Sequence, residues 1–175
     1  MVIALIRKSL AIALLSVGIC ACTNAQQEPV SPDLITEISI ADVPTSVKSL
    51  VRETNADFVM KEVLKKERGE RIYYDVEGEL QDGSEIEFDI LMGASGPEIV
   101  EIQRDIDWST VPESAQALVI KANTEGNSIT RVIESTQTDG AIIYEVFIEG
   151  NRSDPQFEVW SKDETIKLLS SRWQH

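Results

Sequence analysis

Histidine is all but missing from this chain: the one example, His175, is the last of 175 residues. A Ser-His-Asp or Cys-His triad, a histidine general base and a histidine-ligated zinc are therefore close to excluded. Cysteine is nearly as scarce, with two residues, Cys20 and Cys22, both near the N-terminus. The rest of the chain has no thiol for the disulfides on which small secreted domains often rely, so burial of apolar surface must stabilise it. Basic charge is short as well. Sixteen Lys and Arg against 30 Asp and Glu leave −14 at pH 7. Nucleic acid is a poor partner for such a body, since neutralising phosphates needs clustered Lys and Arg. An anionic lipid surface would repel it too, and solubility alone is a sufficient reason for the charge.

The first thirty residues give an address. Arg7 and Lys8 precede the apolar run Leu10-Ala11-Ile12-Ala13-Leu14-Leu15, followed by Ser16, Val17 and Gly18. A basic start, an apolar stretch too short to stop in a membrane and small residues at its end describe a secretory signal peptide over 1–21. Its finish, Ile19-Cys20-Ala21-Cys22, resembles the lipobox of bacterial lipoproteins, with small Ala21 before Cys22. The resemblance implies cleavage before Cys22 and lipidation of its thiol, palmitate-type acyl chains included. Two or three chains give the multiple anchors that stable attachment needs. Cleavage removes two basic residues and no acid, taking the charge from −14 to −16. If the organism is Gram-negative, Thr23 after the cysteine fits an outer-membrane lipoprotein facing the periplasm. Residues 22–42 then read as a polar, proline-bearing tether and lead-in segment.

Beyond the tether the chain repeats itself. Val43-Pro44-Thr45-Ser46-Val47 with Leu50-Val51 returns 68 residues later as Val111-Pro112-Glu113-Ser114-Ala115 with Leu118-Val119, and Tyr74-Asp75-Val76 returns as Tyr144-Glu145-Val146. Such self-similarity indicates a duplicated unit. Each copy opens on a helix, with Pro44 and Pro112 in the first turn, where a missing N–H costs nothing. Val47, Leu50 and Val51, and then Ala115, Leu118, Val119 and Ala122, recur at helical steps. Alternation predicts strands over 59–67, 71–80, 85–91 and 98–102, then 129–135, 142–149, 156–160 and 166–169. Asp82-Gly83 and Asp139-Gly140 supply turns. A three-residue loop at 82–84 pairs Leu80 with Ile86 and Val76 with Ile90, keeping apolar residues on one face. The expected fold class is thus α+β: two tandem units, 43–106 and 107–175, each one helix packed on an antiparallel three- to four-stranded sheet.

Val-Pro-x-x-Val at the helix start, Asp-Gly at a hairpin and Tyr-Asp/Glu-Val in the next strand resemble the PepSY-like family of bacterial secreted domains. The resemblance spans most of 43–169 and implies a role outside the cytoplasm, among them inhibition or restraint of proteases. The tandem copies are more weakly similar to bacterial proteins that inhibit β-lactamase, which carry disulfides in their repeats where this chain has none.

Two sheet faces carry the candidate sites. Asp75, Glu77 and Glu79 share a face with Glu85, Glu87 and Asp89, and opposed like charges destabilise a sheet. Solvent and the run Lys61, Lys65, Lys66, Arg68 and Arg71 are one compensation; a basic protein or peptide is another. A Ca²⁺ ion on Asp75, Glu77, Glu87 and Asp89 is a third, since hard cations take several converging oxygens. A catalytic carboxylate pair needs two different environments, which identical open positions do not provide. In the second copy the corresponding face carries Glu145, Phe147, Glu149, Glu158 and Trp160. Aromatics in a polar patch signal contact, either with a partner or with the other repeat, the N-terminal segment or Trp173. The function expected is binding without chemistry and without a cofactor: a non-enzymatic envelope lipoprotein engaging a protein or peptide, with cation binding as the alternative.

Overall fold

The computed structural model describes residues 34–151 and 153–173. The expected signal peptide, Cys22 and most of the expected tether fall outside them. Strand β1 (Leu34–Glu37) leads through a 3-10 turn (Ile40–Asp42) into helix α1 (Thr45–Thr54). Strands β2 (Val59–Arg68), β3 (Arg71–Glu79), β4 (Glu85–Gly93) and β5 (Gly96–Asp105) follow. A second 3-10 turn (Trp108–Thr110) and helix α2 (Glu113–Ala122) precede β6 (Ile129–Gln137), β7 (Ile142–Ile148), β8 (Phe157–Lys162) and β9 (Thr165–Leu168). Among the described residues no helix is long and apolar enough to cross a membrane.

The strands make one sheet. They lie in chain order from β1 to β9, each antiparallel to the next. This corrects the expected fold class, in which two tandem units each had their own three- to four-stranded sheet. The reason lies in the strand edges. An unpaired edge presents a row of unsatisfied N–H and C=O groups, and here residues 101–105 of β5 pair with 133–137 of β6 instead. Two sheets would leave four edges, whereas one leaves only β1 and β9.

Both helices lie on the same face of this sheet, over two apolar clusters. Val43, Val47 and Val51 pack with Val63, Tyr74, Val76, Phe88 and Ile90. Val111, Ala115 and Val119 pack with Val132, Tyr144, Val146 and Val159. Each such buried aliphatic or aromatic side chain contributes about 1.5–3 kcal/mol. The repeated motif therefore sets the same three positions, 68 residues apart, against the sheet. Each helix is also tied to its 3-10 turn: Lys48 Nζ donates to Ala41 O at 3.1 Å, and Gln116 Nε2 to Trp108 O and Val111 O at 3.0 and 2.8 Å. Bulges recur as well, at Lys61 in β2 and Thr130 in β6.

The register of β3 on β4 differs from expectation by two residues. Val76 faces Phe88 and Gly78 faces Ile86. The loop is three residues long, as expected, but closes one position earlier: Leu80 N–H donates to Ser84 O at 2.9 Å, leaving Gln81, Asp82 and Gly83 as the turn. Gly83 takes φ 82°, which suits glycine. A two-residue shift preserves the faces, so the acidic set stays together. Gly78 is required for another reason, because a Cβ there would collide with Val59 O and the Phe58 ring.

Candidate functional site

Opposite the helices lies an open face, and it carries acids where the covered face carries valines. Across β3 and β4 three like-charged pairs are directly opposed: Asp75 with Asp89, Glu77 with Glu87, and Glu79 with Glu85. The row continues through β5 and β6, where Asp89 faces Glu101 and Glu101 faces Gln137. Asp75, Asp89 and Glu101 are buried, at 4–5 % exposure. Burying charge is expensive unless it is paired or neutralised. Lys66 of β2 forms an ion pair with Asp75, and Lys61 holds Glu79 at 2.8 Å. The rest of the basic run turns elsewhere: Lys65 to Glu67 at 2.6 Å, Arg68 over the Tyr73 ring, and Arg71 to the Tyr73 hydroxyl.

Glu101 was missed from sequence. Its carboxylate accepts from Gln103 Nε2 at 3.0 Å and from Gln137 Nε2 at 2.5 Å, and it is hydrogen-bonded to the Asp89 carboxyl. Two carboxyls can share a hydrogen bond only if one of them holds a proton, and burial raises Glu101 accordingly. Glu87 is pushed up to about 7, first by burial and then by Asp89, with Lys66 offsetting part of the rise. The signal for Glu101 was present but hidden. A bulge at Val100 of β5, opposite Asp89 and Ile90 of β4, puts both Ile99 and Ile102 on the helix side, breaking the alternation that would have placed Glu101.

Beside this row a cleft of about 300 Å³ opens along β3 to β6, lined by Glu77, Glu85, Glu87, Asp105, Gln103 and Ile133 among others. Two arginines reach it and both are committed. Arg104 binds Glu134 at 2.6 Å and Arg131 binds Asp105 at 2.7 Å. Among the described residues no basic side chain is ion-paired to Glu77, Glu85 or Glu87.

Of the four residues expected around a cation, Asp75, Glu87 and Asp89 each place a carboxylate oxygen within 4.8 Å of the others, while Glu77 stands outside that group. The five expected partner contacts are divided. Glu145 and Glu158 face each other across β7 and β8. Phe147 is only 4 % exposed, and the Arg131 guanidinium lies 5.6 Å from its ring centre. Trp160 is half-buried with the Lys167 ammonium 4.3 Å from its ring centre. The Glu145–Glu158 pair separates the two aromatics along the strands, so they do not form one patch. Glu149 is exposed beyond the end of β7. Glu145, pushed up to about 7 by burial and by Glu101 and Glu158, accepts from Ser135 Oγ at 3.3 Å. Alternation identifies the face but not what covers it. Ile133, Ile143 and Phe147 are buried on the face opposite α1 and α2, with no helix over it among the described residues.

Comparison with protein-family models, with curated proteins and with solved structures gave no match for this chain.

Proposed function

We propose that this chain is a non-enzymatic binding protein of the cell envelope. On this reading it is lipid-anchored through Cys22 and captures a basic, extended protein segment on the open face of its sheet. The observation that carries this is the cleft along β3 to β6. Its carboxylates Glu77, Glu85 and Glu87 have no ion-pair partner among the described residues, while the two arginines that line it are paired with Glu134 and Asp105. A Lys or Arg side chain entering there gains charge complementarity, which favours speed and selectivity of capture. It also offsets the burial and the Asp89 repulsion that hold Glu87 high. The PepSY-like resemblance makes a restrained or inhibited protease one fitting source of such a segment. The test is fluorescence anisotropy of an Arg- and Lys-bearing decapeptide against the full chain at low and moderate salt. Binding should weaken with salt, and a Glu85→Gln, Glu87→Gln double variant should bind roughly tenfold less tightly. Equal affinity in that variant, or in a peptide bearing Glu in place of its Lys and Arg, contradicts the reading.

A second reading, a divalent cation on Asp75, Glu87 and Asp89, is favoured by the convergence of their oxygens. It requires the cation to compete with Lys66 for Asp75. A melting temperature indifferent to millimolar Ca²⁺ removes it, because a ligand bound by the native state alone must stabilise that state.

A further inference from the structure

The second half of the open face is already occupied, and by the chain itself. After β9 the backbone turns back without helix or strand over residues 170–173. Trp173 N–H donates to Glu158 Oε2 at 2.7 Å, and Arg172 Nη1 donates to Glu158 Oε1 at 3.3 Å. Both oxygens of one carboxylate, 7 % exposed, are taken by a guanidinium and by the main-chain N–H of the next residue. Arg172 also eases Glu145, which faces Glu158 across the strands. This is how an acidic sheet face would receive an extended basic peptide, here supplied in cis.

The hold is incomplete in two places. A cleft of about 260 Å³ remains between the strap and the sheet, lined by Gln156, Glu158, Leu169, Ser170, Ser171 and Arg172. The indole N–H of Trp173 is buried with no acceptor among the described residues. A buried donor left without a partner costs free energy, and it weakens the docked state against release.

We propose that residues 170–173 are a tethered self-ligand on a surface formed by Glu145, Gln156 and Glu158. That surface accepts an extended segment in which arginine is followed by an aromatic residue, and a partner of that chemistry binds by displacing the strap. None of these residues lines the cleft along β3 to β6, so the two sites stand or fall separately. A tethered ligand has a high effective concentration, and a free peptide competes poorly until the tethered one is weakened.

The probe is the strap's own sequence, a fluorescently labelled Leu-Ser-Ser-Arg-Trp peptide with blocked ends, titrated into the full chain. In Arg172→Ala, an exposed substitution, the peptide should bind at least about tenfold more tightly than to the unsubstituted chain. Adding Glu158→Gln should cancel the gain, and a peptide with Glu in place of Arg should not bind. A chain ending at Leu169 gives a second route to the uncovered surface. Urea midpoints of all variants establish that each remains folded. The proposal is overturned if neither Arg172→Ala nor the shortened chain binds the peptide more tightly, or if Glu158→Gln leaves the gain intact.

Discussion

Asp75 and Glu145 hold corresponding places in the two halves, each following the repeated tyrosine and each facing a second acid, Asp89 or Glu158. The halves resolve the same conflict by different means. In the first, Lys66 of β2 pairs with Asp75 and the Asp89 carboxyl shares a hydrogen bond with Glu101. In the second, the residue matching Lys66 on β6 is Ser135, whose hydroxyl reaches Glu145, while Arg172 and Trp173 of the strap close over Glu158. Compensation comes from inside the sheet in one half and from a returning segment in the other. The first half is left with carboxylates on an open cleft, and that difference is the basis for assigning it the role of capture.

The strongest challenge to this comparison is through the cores. Phe88 is fully buried and meets Phe58 edge-on with ring centres 5.1 Å apart, whereas the matching Phe157 is only half-buried. Phe88→Ala should cost about 3–5 kcal/mol by urea unfolding, and Phe157→Ala clearly less. Equal losses would mean that the two halves are not packed as described. Lys66→Met should follow, at about 3 kcal/mol at neutral pH, the low end for a broken buried pair because Lys66 is partly exposed. Ser135→Ala should cost closer to about 1 kcal/mol, the loss of a single hydrogen bond. At the small end, Arg104→Ala removes an ion pair whose arginine is mostly exposed, and it should change stability by less than about 1 kcal/mol.

The acids also set a pH dependence. Glu87 and Glu145 are both raised to about 7 in the fold. An acid raised by folding contributes its full stability below its ordinary value and loses it as pH rises through the folded one. The urea midpoint should therefore fall between about pH 5 and pH 8, and Glu87→Gln with Glu145→Gln should flatten that slope. Asp82 and Asp139 act in the opposite sense. Ser84 holds Asp82 low, while Lys162 and the Ala141 N–H hold Asp139 low, so their contributions are lost only as pH falls into the acid range.

Much of this was legible in the chain, and the remainder has identifiable causes. Alternation located the strands and separated the valine face from the acid face, because side chains in a strand change sides at every residue. A turn placed one position too late moved the β3–β4 register by two and left the faces intact, which is why Asp75, Glu77, Glu87 and Asp89 still share a face, though with other partners and with Glu77 outside the three whose oxygens converge. Sheet continuity was not legible. Whether β5 stops at an edge or pairs with β6 depends on a partner 30 residues away, and nothing in the local pattern of 101–105 declares it. Nor does alternation show that Arg131 lies over Phe147 or that the strap returns to Glu158.

The most direct test is a carbon-13 NMR titration of the Glu87 and Glu145 side-chain carboxyls, with and without the basic decapeptide. The account predicts midpoints near 7 for both in the free chain, and a fall at Glu87 alone when the peptide fills the cleft. Midpoints in the ordinary glutamate range, or a peptide that leaves Glu87 unmoved, would contradict it.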